Sequence, residues 1–285
     1  MSSISIDSTA TLHQAIAGSP THRAGSGAAW AVARLRAVLV ALAVPALVVA
    51  LWWWAAAHAW MSEQILPPPA YVWDTALDLI RSGQVQEALA VSFGRLVAGL
   101  AIGGGLGLAA GVAMGLSRRT EAYLGPTLRA ICLVPSLGWL PFFMLAFGIG
   151  EGLKFALIAK TCFMPMMVNG FEGTRAVPVR YREVARVLEL GRFATLRYVV
   201  LPAALPALTN GFRLALSKGW KALVLVEMIA SAAGIGYLMT WGRKAFQLDV
   251  VLVTMVVIGI AGWALDRAAL VLSRRYGAWS ERTTL

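Results

Sequence analysis

Six stretches of the chain, near residues 37–60, 91–116, 127–148, 153–170, 202–229 and 249–271, are apolar runs long enough to cross a hydrocarbon layer of ~30 Å at ~1.5 Å of helical rise per residue. They leave little room for a water-soluble fold. Mean hydropathy is +0.70, only 14% of residues are charged and 11 are tryptophan, more apolar surface than one core hides. The expected fold class is all-α, a polytopic membrane bundle of about six transmembrane helices spanning 34–276. Pro135, Pro141 and Pro165 interrupt the third and fourth runs and predict kinks, tolerated where neighbouring helices satisfy the freed backbone groups. Residues 1–33, rich in Ser, Thr, Ala and Gly, cannot bury enough surface to fold alone and predict a disordered tail. The first apolar run begins near Ala37 and is too long for a cleaved signal, so it is expected as a retained span. Residues 277–285 form a short second tail.

The net charge of +11 would point a soluble chain toward nucleic acid, but here the arginines follow the loops. With the N-terminus inside, sixteen of the 25 basic residues fall on the cytoplasmic side: Arg23, Arg34, Arg36, Arg118, Arg119, Arg129, the six of the 171–201 loop, Arg267, Arg274, Arg275 and Arg282. Arg81, Lys154, Arg243 and Lys244 lie outside, with Arg95 at the outer end of the second span. That asymmetry sets the orientation, with both termini cytoplasmic, and no nucleic-acid partner is expected. Trp52, Trp53, Trp54 and Trp60 then mark an outer interfacial belt. The stretch 66–83 is expected to lie flat on the outer surface as a short helix with Trp73, Ala76, Leu77 and Ile80 on one face.

Gly99, Gly103, Gly107, Gly111 and Gly115 recur every four residues and form a slowly drifting stripe that lets another helix approach closely. The overlapping GLGLAA at 105–110 lacks the preceding strand and following acid of a dinucleotide site, and no GxxxxGK[ST] phosphate loop occurs. His13, His22 and His58 are scattered, and Cys132 and Cys162 sit inside apolar runs. No metal, cofactor or catalytic constellation is expected, and the chain reads as a non-enzyme.

The loop 171–202 is different in kind. Arg175, Arg180, Arg182, Arg186, Arg192 and Arg197 alternate with Glu172, Glu183 and Glu189, Val184, Ala185 and Leu188 share a helical face, and Glu183 can pair with Arg186 one turn on. A plain basic loop explains the arginines but not an ordered apolar face, which calls for a partner. Here the chain resembles the inner-membrane permease subunits of binding-protein-dependent ABC importers. Their Glu-Ala-Ala, Gly and Leu-Pro signature matches at Glu183, Ala185, Val199, Leu201 and Pro202 with its spacing intact. Val184 replaces the middle alanine. Glu189 stands where the glycine is expected, with Gly191 two residues later, so the turn is expected to be shifted or tighter. ILPPPAYVW, GVAMGLSRR, LPFFMLAFGIGE, LPAALPALTNGFRLAL, VEMIASAAGIGYL and LDVVLV extend the resemblance over about residues 35–276, toward the nitrate, sulfonate and taurine branch.

That resemblance implies the type I importer permease fold in a bacterial inner membrane, a cytoplasmic ATP-binding subunit docked on 171–202, a periplasmic substrate-binding protein, and a second permease subunit, an identical copy. It places ATPase coupling on Glu183, Ala185, Glu189, Gly191, Leu201 and Pro202. The solute it implies is a small oxyanion, with aliphatic sulfonate or taurine ahead of nitrate. Lys160, Lys218 and Lys221 lie inside the fourth and fifth spans, where a charge costs at least ~2.5 kcal/mol unless it faces protein or water. They line an anion path, snorkel to an interface or neutralise Glu227. A secondary carrier or channel is the alternative class, but the inverted repeats of carriers are not visible in the sequence.

Overall fold

The computed structural model describes residues 27–281, which fall into two compact units, one ending at His58 and one beginning at Ala59. The first is a single helix, α1 (Gly27–Ala57), interrupted chemically only by Pro45. Residues 27–33, expected in the tail, are therefore helical, and the rest of that expectation, 1–26, lies outside the described residues.

The second unit contains α2 (Pro69–Arg81), α3 (Gln84–Leu116), α4 (Arg118–Leu133), a 3-10 turn (Ser136–Trp139), α5 (Leu140–Phe147) and α6 (Glu151–Arg175). It continues with α7 (Val179–Val187), α8 (Arg192–Thr195), a π turn (Leu196–Val200), α9 (Leu201–Ala230), α10 (Ile235–Lys244) and α11 (Leu248–Glu281). No strand occurs among the described residues. The last helix runs through 277–281, which the sequence reading assigned to a tail.

By length and composition, three helical stretches are able to cross a membrane: Gln84–Leu116, Arg192–Ala230 and Leu248–Ser273. The expected third span, 127–148, is not one straight helix. Its halves meet at 95°, and counting them as one broken span makes four. Pro135 is the cause: it supplies no N–H, and Val134 before it is forced out of the helical region to φ −68°, ψ 123°.

α6 is the middle layer, with α3 on one side and α9 on the other, and α9 packs in turn on α11. The glycine stripe makes the first contact possible. A Cβ on Gly99 would stand 2.5 Å from Ile158 Cγ2 and one on Gly115 2.6 Å from Thr174 Cβ, while Gly103, Gly107 and Gly111 lie directly against the backbone carbonyls of Ala159, Phe163 and Met167. Both chains of contacts ascend together, so α3 and α6 run parallel. On the other side Gly219 of α9 lies against Cys162 and Gly211 against Asn169, which makes α6 and α9 antiparallel. Trp220 stacks on Phe93 with centroids 5.6 Å apart and donates from Nε1 to Ile258 O at 3.3 Å, joining α3, α9 and α11. Arg213 and Asp266 add a two-bond fork between α9 and α11 at 2.8 and 2.9 Å.

The short helix α2 corrects the sequence reading by a rotation. Val72, Ala76 and Leu79 pack on the core, Thr75 donates to Asp249 at 2.7 Å, and Trp73 and Ile80 point outward. Because the α3–α6 contact is made by backbone, it tolerates no added side chain: Gly103→Val is expected to lose ~1–3 kcal/mol by overpacking. Gly105, with nothing within 4 Å of its built Cβ, accepts Ala without that cost. Thermal melting of the two variants in detergent measures the difference, and equal midpoints would contradict the packing.

Candidate functional site

Two polar assemblies occupy opposite ends of the α6–α9 pair. The first centres on Arg95, which α3 carries into the bundle where it is 6% exposed. Its Nε and Nη2 grip both oxygens of Glu151 at 2.8 and 2.7 Å, and Nη1 donates to Glu227 at 2.7 Å and to Ala233 O at 2.6 Å. Glu227, on α9, is 0% exposed, and its oxygens also accept from Ser92 Oγ and the Gly236 N–H. Ser92 accepts in turn from the Ile235 N–H at 3.0 Å. Lys154 donates to Glu151 at 2.7 Å. A buried carboxylate survives only when its lone pairs are taken up in this way. Gly234, at φ +107°, is where α10 begins, and a side chain there would collide with the Glu227 carboxylate.

The network ties α3, α6, α9 and the start of α10 together. Glu151 alone is open, with its side chain 51% exposed, just outside the apolar stretch 153–170. The hydrogen bond from Arg95 holds its carboxyl down at about 2 against an ordinary 4.5, so its tie is complete above the ordinary value and is lost only as pH falls toward 2. The sequence reading offered Glu227 to the lysines. The structure corrects this: Glu227 is neutralised by Arg95. An arginine and a glutamate isolated in two apolar runs were the available signal, since intramembrane charges need partners.

At the other end lies the loop between α6 and α9. α7 starts after Pro178 and is fastened to α6 by Arg182, which donates to Thr174 O at 2.7 Å, a carbonyl of the last turn that α6 leaves open. Ala185 is 2% exposed and turned inward, and α7 packs on the π turn where Val200 is also buried. Ala185 therefore does not share an outward face with Val184 and Leu188. The displayed apolar residues are Val179, Val184, Val187, Leu188 and Phe193, with Val187 82% exposed. Glu183 is exposed and forms no ion pair with Arg186 among the described residues. Leu201 and Pro202 are half-buried in the first turn of α9, directly after the π turn.

The turn after α7 is neither shifted nor tightened. Leu190 N–H donates to Ala185 O and Glu189 N–H to Arg186 O, both at 3.0 Å, with Glu189 at φ +49°. This is a Schellman end whose left-handed position is normally glycine. Glu189 occupies it unaided, and Gly191, at φ −60° and ψ 160°, does not substitute for it.

Between the two ends lie Lys160, Lys218 and Lys221. Lys160 donates to Val134 O at 2.6 Å and stands 5.8 Å over the Trp139 ring, satisfying a carbonyl at the break between α4 and α5. Since Gly219 lies against Cys162, Lys218 and Lys221 sit at the level of Lys160 along the bundle, on the exposed stripe of α9. Lys218 is one turn from Ala222, which with Val226 faces Leu153, Leu157 and the side chains of α5. The chain has no cluster of metal-ligating residues among the described residues.

Residues 103–277 match the family described as the binding-protein-dependent transport system inner membrane component. A putative aliphatic sulfonates transport permease protein of Bacillus subtilis is 37% identical over 84% of this chain and 86% of its own length. The taurine transport system permease protein of Escherichia coli is 32% identical, over 86% of this chain and 90% of its own. A solved chain of the MetNI methionine ABC transporter in inward-facing conformations shares the fold, with TM-score 0.54 and 20% identity over 70% of this chain and 95% of that one.

The left-handed glutamate yields a signed expectation. Glu189→Gly removes ~1–2 kcal/mol of backbone strain and is expected to raise the thermal midpoint, while the β-branched Glu189→Val lowers it. A midpoint for Glu189→Gly at or below that of the unsubstituted chain would contradict the Schellman assignment.

Proposed function

Because the chain belongs to the family of inner-membrane components of binding-protein-dependent transport systems, we propose that it is the permease of an ATP-driven importer for a small oxyanion, an aliphatic sulfonate or taurine first. The observation that carries the reading is the 178–202 segment. It is held to α6 by Arg182 and seated by Ala185, yet presents Val184, Val187, Leu188 and Phe193 outward. An apolar patch on a basic loop is a docking surface for a partner. That partner is a cytoplasmic ATP-binding subunit, which puts the N-terminus inside and the Arg95 end in the periplasm, where a binding protein delivers the solute. A second, identical copy encloses the path.

ATP-driven closure of the partner moves α7. Arg182 passes the movement to α6 and the π turn passes it to α9, whose far ends the Arg95 network holds in one body with α3. The hydrolytic chemistry belongs to the partner, and this chain supplies the coupled rearrangement. The anion class rests on the two named relatives and on three cations at one level beside a broken helix, the kind of irregular backbone that lines a cavity in a membrane. A desolvated ammonium attracts an anion without selecting its shape, so nitrate is the other small anion such a path accepts.

Proteoliposomes holding the chain, its ATPase and its binding protein test this. ATP-dependent accumulation of an alkanesulfonate is expected. Glu183→Lys should keep assembly but abolish uptake, and Lys218→Met or Lys221→Met should cut uptake roughly tenfold, the effect of ~1.4 kcal/mol, with partial recovery in the Arg variants. Uptake without ATP sinks the importer reading, and unchanged uptake in both Met variants sinks the lysine path.

A further inference from the structure

At the end of the bundle that carries α7, an open cleft of about 530 Å³ is lined by Arg118, Glu121, Ala122, Pro126, Arg129 and Arg175. Its charge is unbalanced. Three guanidiniums face one carboxylate, and two of them share a single oxygen of it: Arg175 Nη1 lies 2.8 Å from Glu121 Oε1 and Arg129 Nη2 lies 3.6 Å from the same atom. Both groups lie over the Phe171 ring, at 5.1 and 5.6 Å from its centroid, and both side chains remain about half exposed. Arg118 lies one residue past the C-cap of the span Gln84–Leu116, and Arg175 ends α6, so the cluster lies at a membrane boundary whichever way the chain is oriented.

The rest of the cleft is not polar. At 100° per residue, Arg118, Ala122, Pro126, Arg129 and Leu133 form one stripe of α4, with two apolar residues between its arginines and Leu133, 79% exposed, one turn beyond Arg129. A small free anion needs the arginines and has no use for the apolar continuation. A choline headgroup would set its own cation beside the arginines. We propose that this cleft binds an anionic phospholipid, its phosphate taken by Arg118, Arg129 and Arg175 and its acyl chains lying along α4 toward Leu133. The phosphate competes with Glu121 for the two shared guanidiniums and offers more acceptor oxygens than that carboxylate leaves them. The site stands immediately before α7, so its occupant bears on the segment that receives the partner, without being part of the solute path.

Native mass spectrometry of the full chain, titrated with phosphatidylglycerol and with phosphatidylcholine of the same acyl chains, reads the preference directly. The double variant Arg129→Gln/Arg175→Gln is expected to weaken phosphatidylglycerol binding by roughly tenfold or more, while Arg243→Gln/Lys244→Gln, the same charge change on α10, leaves it unaltered. Glu121→Gln should strengthen binding, a direction that general destabilisation does not give. Equal retention of the two lipids, equal loss in both double variants, or weaker binding in Glu121→Gln overturns the proposal. So does displacement of phosphatidylglycerol by inorganic sulfate, which makes the cleft a small-anion site. A monomer–dimer shift in Arg129→Gln/Arg175→Gln with lipid retention unchanged makes it a contact between copies instead.

Discussion

Arg95 and Glu227 meet as a buried ion pair inside the bundle, and the helices around them are arranged as that pair requires. A carboxylate with no exposure is tolerated only if every lone pair is engaged, and Glu227 is engaged from Arg95, Ser92 and the Gly236 amide. Those partners come from α3 and from the start of α10. Neither helix can slide against α9 without breaking a bond to a buried charge. The requirement reaches Gly234, whose positive φ lets the backbone pass over the carboxylate where no side chain fits.

The opposite end is built from weaker and more exposed contacts. α7 is held by one arginine to one carbonyl and by a small inward residue, and a left-handed glutamate closes it. Elements with few buried contacts are those that move at low cost. α6 and α9 run from the firm end to the loose one, so movement of α7 reaches the core along two helices whose far ends are fixed to each other. The glycine face of α3 keeps that helix against α6 along its length, which lets α3, α6 and α9 behave as one body.

Much of this was legible in the residues. Apolar length located the helices, the four-residue glycine period pointed to a close helix contact, and the spacing from Glu183 to Pro202 located the loop between α6 and α9. Other features were misread for identifiable physical reasons. Pro135 reads as a kink, but a 95° break depends on a partner for the freed carbonyl, and that partner, Lys160, lies 26 residues away. Ala185 looks like part of an apolar outer face because periodicity does not reveal which side of a nine-residue helix is inward. Glu189 in the glycine's place reads as a shifted or tighter turn, whereas the backbone keeps the left-handed position and accepts the strain. Arg95 and Glu227 are 132 positions apart, and no local pattern pairs them, although each is conspicuous alone inside an apolar run.

If the buried pair is what holds three helices and a loop as one body, its two halves must be strongly non-additive. The decisive measurement is a double-mutant cycle in thermal or denaturant unfolding, using Arg95→Met, Glu227→Met and the double variant. Arg95→Met strands the Glu227 carboxylate and is expected to cost about 3–5 kcal/mol. Glu227→Met leaves Arg95 its Glu151 partner and costs less, and the double variant, with neither member of the pair left, loses clearly less than their sum. Additive losses, or single variants as stable as the unsubstituted chain, would contradict the pair's role as the fixed point of the bundle.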